Sequence, residues 1–279
     1  MEHRSFLIDL KKEDRVIRGD IRVQSTEGLH PILILCHGFK GFKDWGLFPY
    51  AAETLAKAGF AVISFNFSMN GVGEDPSTFG ELEKFAQNTF SHEQEDLAHV
   101  MKGILLGKLP FSANMNTNQI GIIGHSRGGA SSLLFALDEP RIQAVALWNS
   151  VAHPDFLSPA FKQELREKGR AYIPNARTKQ QMPINATLLE DLDANPEHYD
   201  ILTRLTQYDR PLLIIHGEND TSVPIDAAHH LNEASSHSTL HAIPGADHTF
   251  GAVHPFQGET FYLREALEST IDFFRKIFS

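Results

Sequence analysis

Five runs of strand length, nearly all apolar, recur along this chain: Pro31–Cys36, Phe60–Phe65, Gln119–Ile123, Ile142–Trp148 and Pro211–Ile215. A strand without polar alternation is buried on both faces, so the sheet it joins needs a covering layer on each side. Helical signals supply those layers. Pro49 and Gly59 stand where a helix between two runs would begin and end. Ser91 with Gln94 three residues on reads as a capping box for a helix to about Leu106, with Leu97, Val100, Met101 and Ile104 on one face. Further helices are expected from Arg127 to about Asp138, after Pro224, and at the end of the chain. The last of these puts Leu263, Leu267, Ile271, Phe274 and Phe278 on one stripe. Residues 5–10 and 16–25 read as two opening strands, and another lies around Leu240. Strands alternating with helices place the chain in the α/β class, with a mostly parallel central sheet and helices on both faces.

One stretch breaks the rhythm. From Ala152 to Arg210 there is no convincing buried strand, five prolines interrupt the chain, and Phe161–Lys168 forms a charged helical piece. So long an excursion between core strands is expected to be functional. We read it as a cap, 152–210, inserted into a single domain, 1–279.

Composition narrows the partners. Lys and Arg number 25 against 35 Asp and Glu, a net charge of −10, which argues against nucleic acid. The single cysteine, Cys36, excludes an internal disulfide and, ending a buried strand, reads as inert core. Met1–Arg15 has no apolar run of signal-sequence length, and no stretch approaches the ~20 apolar residues that span a bilayer. The expectation is a cytoplasmic protein without a membrane partner; oligomeric state is not legible.

Chemistry concentrates at Gly124-His125-Ser126-Arg127-Gly128-Gly129, between an expected strand and an expected helix. A serine hydroxyl is a weak nucleophile unless a base takes its proton and the backbone presents it. A tight strand-to-helix turn presents it, and glycines on either side relieve the crowding. His92, Glu95 and His99 have metal-ligand spacing, but they lie opposite the apolar face of their helix and read as a solvated surface; no metal is expected. His229-His230 lacks companion acids, and Gly71-x-Gly73 lacks the third glycine of a dinucleotide loop.

With these motifs the sequence resembles the α/β-hydrolase superfamily, from about residue 16 to the end. The resemblance implies an acid and a histidine after the nucleophile, in that order. The acid matches Asp220, three residues before Val223-Pro224, with Glu218 as the competitor; the histidine matches His248 in Gly245-Ala246-Asp247-His248. Asp247 reads as a solvated loop acid. Cys36-His37-Gly38-Phe39 resembles the family's oxyanion turn, which implies backbone N–H donors at Phe39 and Arg127, with His37 fixing the loop. A dehalogenase-type relative would need an aspartate where Ser126 stands.

The implied activity is that of a serine carboxylesterase without cofactor, similar to the cinnamoyl/feruloyl-esterase-like and dienelactone-hydrolase-like branches. It would act on a small-molecule ester with a small or aromatic acyl group. Phe156, Phe161, Tyr172, Met182 and Tyr199 of the inserted segment are the expected pocket residues; the alternative is that they only pack the segment's own core. A peptidase or acyl-thioesterase with the same triad is the rival reading. A binding protein that kept the fold without catalysis is a second rival, and such proteins usually lack a triad member.

Overall fold

The computed structural model describes residues 1–75 and 78–279. Its main sheet has eight strands in the order β1-β2-β4-β3-β5-β6-β9-β10. The opening pair, β1 (Glu2–Asp9) and β2 (Val16–Val23), is antiparallel, and β2 also runs antiparallel to β4. All other neighbours are parallel: β3 (His30–Cys36), β4 (Ala61–Asn66), β5 (Met115–His125), β6 (Ile142–Trp148), β9 (Leu212–Gly217) and β10 (Ser238–Ile243).

Because side chains alternate across a strand, the apolar runs feed two cores. Leu33, Leu35, Val62, Ile123, Ala146, Leu213 and Ile215 face α1 (Leu47–Lys57) and the closing helix α9 (Phe261–Phe278). Ile32, Ile34, Ile63, Ile122, Val145, Leu147 and Ile214 face the other way. There they meet α3 (Phe90–Leu105), α4 (Arg127–Asp138) and α8 (Asp226–Ala234), while a short helix α2 (Leu82–Gln87) precedes α3. Leu263, Leu267, Phe274 and Phe278 of the expected closing stripe are buried, and Ile271 packs at its edge.

The capping box at Ser91 is corrected. Thr89 caps α3, its side chain accepting the His92 N–H, while Ser91 is hydrogen bonded to Asp191 and Tyr199 of the inserted segment. That segment does contain strands. After α5 (Pro159–Lys168), β7 (Arg170–Pro174) and β8 (Gln181–Asn185) pair as a separate antiparallel hairpin, followed by α6 (Thr187–Ala194) and α7 (Ile201–Leu205). Among the described residues no helix is long and apolar enough to cross a membrane.

Candidate active site

The parallel strands end at one edge of the sheet, where open α/β sheets place their sites. Ser126 follows β5 in a left-handed conformation, φ 57° and ψ −125°, which costs a non-glycine residue about 1–3 kcal/mol. The neighbouring glycines make the turn sterically feasible. A Cβ on Gly124 would lie 2.3 Å from the Gly128 carbonyl oxygen, and one on Gly128 would lie 2.2 Å from that of His37. The Ser126 N–H donates to the Trp148 carbonyl at 2.9 Å, tying the turn to the end of β6.

Two further strand ends bring the predicted partners to it. Asp220 lies in the turn after β9 and His248 in the loop after β10. His248 Nε2 is 3.1 Å from Ser126 Oγ, and its Nδ1 is 2.7 Å from Asp220 Oδ2. The tautomer that serves both has its hydrogen on Nδ1 and leaves Nε2 to accept. Asp220 is buried, and its other oxygen accepts N–H bonds from Ser222 and Val223 at 2.8 and 2.9 Å. Burial pushes this carboxyl's pKa up, but the His248 hydrogen bond and charge and the two backbone donors outweigh it, leaving the pKa below the usual value. Glu218, the competing acid, points to solvent.

The Phe39 turn faces the serine: a Cβ on Gly38 would lie 2.8 Å from the Ser126 Cβ. Among the described residues neither the Phe39 nor the Arg127 backbone N–H has an acceptor within the chain, and Arg127 opens a helix whose first N–H groups are free by construction. His37 holds the loop as expected, donating from Nδ1 to the Gly38 carbonyl and accepting the Phe67 N–H at Nε2. Full burial pushes its pKa down to about 4, so the ring is neutral near pH 7.

Several supporting residues escaped the sequence reading. His125 donates from Nε2 to the His248 carbonyl at 2.8 Å, and burial, with His248 beside it, pushes its pKa down to about 3. Asn149 donates to the same carbonyl at 2.9 Å while its side-chain oxygen accepts the Gly217 N–H at 2.8 Å, stitching the two loops together. Glu93, buried on α3, receives Arg127 Nε at 2.9 Å, Asn88 at 2.8 Å and the Ser131 hydroxyl. Only His125 is marked in the sequence, by its place inside the motif; nothing there marks Asn149 or Glu93.

Ser126 and His248 open onto a cavity of about 260 Å³ walled by Phe39, Trp45 and Phe48 and, from the turn of the β7–β8 hairpin, by Asn175, Ala176 and Arg177. None of the five expected pocket residues lines it. Met182 and Tyr199 are buried in the main core, Phe161 packs at its edge, Tyr172 is exposed, and Phe156 stands behind Phe39 with ring centroids 5.3 Å apart. The apolar spacing in the segment reflects packing within it and against the helices α2, α3, α4 and α8; the cavity is reached by its hairpin turn. Two other expectations also meet the structure. Cys36 is buried and its thiol pKa is pushed up to about 12, as an inert core residue requires. The His92/Glu95/His99 surface, by contrast, is half-buried: Arg15 lies across it, bonded to Glu95, to Asp96 and to the His92 carbonyl.

A family model described as the alpha/beta hydrolase fold matches residues 31–188, more than half of the chain. The chain belongs to the α/β-hydrolase family. Among solved structures, this α/β hydrolase is similar to Est1E from Butyrivibrio proteoclasticus, with a TM-score of 0.72 at 18% identity over 98% of both chains. It is also similar to the esterase domain of a Rhodothermus marinus protein, with a TM-score of 0.67 at 19% identity over 99% of both. At such identities the likeness is one of fold. Two curated Escherichia coli relatives, each an uncharacterized 31.7 kDa protein of the traX-finO intergenic region, are 29% identical over 157 residues. The match takes in 56% of this chain and 46% of theirs, so the chain spans about half the length of the curated relatives it matches.

Proposed function

We propose that this α/β hydrolase is a serine carboxylesterase acting on small or aromatic-acyl esters. The observation that carries the reading is the chain of two hydrogen bonds from Asp220 through His248 to Ser126, beside two uncommitted backbone donors. Ser126 Oγ attacks the ester carbonyl carbon as its proton passes to His248 Nε2. The carbonyl oxygen becomes an oxyanion held by the Phe39 and Arg127 N–H groups. His248 then gives the proton to the departing alcohol oxygen, leaving an acyl-serine. Water repeats the sequence, releasing the acid and restoring Ser126; Asp220 stays ionised and orients the imidazole throughout. A cavity of about 260 Å³ with three aromatic walls suits a compact acyl group better than a long chain. Est1E, which shares the fold, has been seen with ferulic acid bound, and that precedent favours an aromatic acyl group here.

The test is covalent and kinetic. An organophosphonate ester should place one adduct on Ser126, located by peptide mass mapping, and Ser126→Ala should lose about 10⁴-fold or more in kcat/KM while still folding. Labelling of another serine, or an active Ser126→Ala protein, sinks the nucleophile assignment. Faster cleavage of a peptide amide or a thioester than of any ester in a graded panel transfers the chemistry to that class.

A further inference from the structure

The cavity at Ser126 carries a charge that no described residue neutralises. Arg177 reaches its wall from the β7–β8 turn, where its backbone N–H is fixed by the Asn175 side chain at 3.1 Å. Its guanidinium lies against two rings, 5.2 Å from the centroid of Phe42 and 5.7 Å from that of Phe79. Among the described residues it forms no ion pair and no side-chain hydrogen bond, and its Nη2 is buried without a partner. Arginines of folded proteins are seldom left so, because stripping water from a cation is costly unless an anion or a set of acceptors replaces it. Burial here lowers the Arg177 pKa with no carboxylate near enough to oppose it. Lys40 lines the same cavity; its one acceptor among the described residues is the Pro174 carbonyl at 3.4 Å, and burial lowers its pKa too. No aspartate or glutamate is among the residues that line the cavity, in a protein whose net charge is −10. Other cations without an ion pair among the described residues, such as Arg4, Lys102 and Lys276, are exposed to water. What sets Arg177 apart from them is a guanidinium nitrogen buried without a partner, beside the nucleophile's cavity.

We propose that the cavity takes esters bearing a free carboxylate, with Arg177, assisted by Lys40, holding that carboxylate while the ester carbonyl sits at Ser126. The proposal rests on the esterase reading and names its substrate class. The guanidinium is suited to the task because its N–H groups on the cavity side can donate charge-assisted hydrogen bonds to a carboxylate, and its position against the two rings leaves little ordering to be done on binding. Arg177 is thus a specificity residue, separate from the groups that break the bond.

The experiment compares monomethyl adipate and monomethyl glutarate with the neutral methyl hexanoate and methyl pentanoate of matching chain length, followed by titration of released acid. Hydrogen bonds to a charged group contribute about 1.5–3 kcal/mol, so the wild-type protein should favour the anionic ester by about tenfold or more in kcat/KM. Arg177→Met should cut that ratio about tenfold, chiefly through KM, and Arg177→Lys should retain most of it. Because the readout is a ratio, partial unfolding of a variant does not imitate the effect. Calorimetric titration of adipate into Ser126→Ala, with and without Arg177→Met, reads the anion site without turnover. Adipate binding that weakens about tenfold on losing Arg177 supports the site. Neutral esters hydrolysed as fast as anionic ones, or a ratio unmoved by Arg177→Met, overturns it and leaves the esterase reading standing. If no ester is turned over, the esterase reading falls, and adipate that fails to bind overturns the anion site as well.

Discussion

Asp220 and Glu218 stand two residues apart on one turn, yet their surroundings are opposite: the first is buried with three donors around it, the second faces water. Asp220→Asn should therefore cost about 10³–10⁴-fold in kcat, because an amide can donate to Nδ1 and stabilise the wrong tautomer. Glu218→Gln should change kcat by less than about twofold. Parallel steady-state kinetics on both variants check this, and the reverse ranking moves the acid to Glu218. Ser126, Asp220 and His248 were legible because each sits in a short motif whose order along the chain is itself informative. Arg177 was not, since a lone arginine among prolines and polar residues has no pattern around it. Its meaning lies in what surrounds it in space, two rings and no acid.

At the scale of elements, the helix that opens at Arg127 is held by Glu93 from the neighbouring α3. This buried pair has a partner atom to spare, for Arg127 Nη2 finds no acceptor. Glu93→Gln should thus leave an uncompensated buried guanidinium, costing about 3–5 kcal/mol in urea unfolding, where removal of an exposed pair such as Lys168–Glu164 should barely move the midpoint. Adding Arg127→Met to Glu93→Gln should restore much of the loss; a double variant as unstable as the single one would show that Glu93 acts through Asn88 and Ser131 instead. The helices themselves were readable from apolar spacing, but their caps were less so. Ser91 has capping chemistry, yet its hydroxyl is taken by Asp191 and Tyr199, a hundred residues on, while Thr89 serves the helix end. The β7–β8 hairpin was missed for a related reason: its buried residues, Met182, Pro183 and Ile184, run consecutively and are covered by neighbouring elements, so no alternation announces a strand.

Across the whole molecule, the parallel sheet follows directly from the apolar runs, and its stability carries a pH signature. His37 and His125 are neutral when folded, with pKa values pushed down to about 4 and about 3, whereas in the unfolded chain each returns to about 6.5. Between those values the unfolded chain binds protons that the folded one refuses, so stability is complete above pH 6.5 and is lost as pH falls. For His37 alone the loss by pH 4 is on the order of 3 kcal/mol. Urea midpoints measured from pH 7 to pH 4.5 should fall steadily, and more shallowly in His37→Gln; a flat profile would mean the imidazoles are not held neutral. One part of the cavity wall lies on a stretch of chain separate from the apparatus beside it. Asn175, Ala176 and Arg177 sit on a hairpin that departs after β6 and returns before β9, outside the register of every strand in the main sheet. A lineage can rewrite those few codons, or exchange the hairpin entirely, and change its diet while inheriting its bond-breaking parts intact.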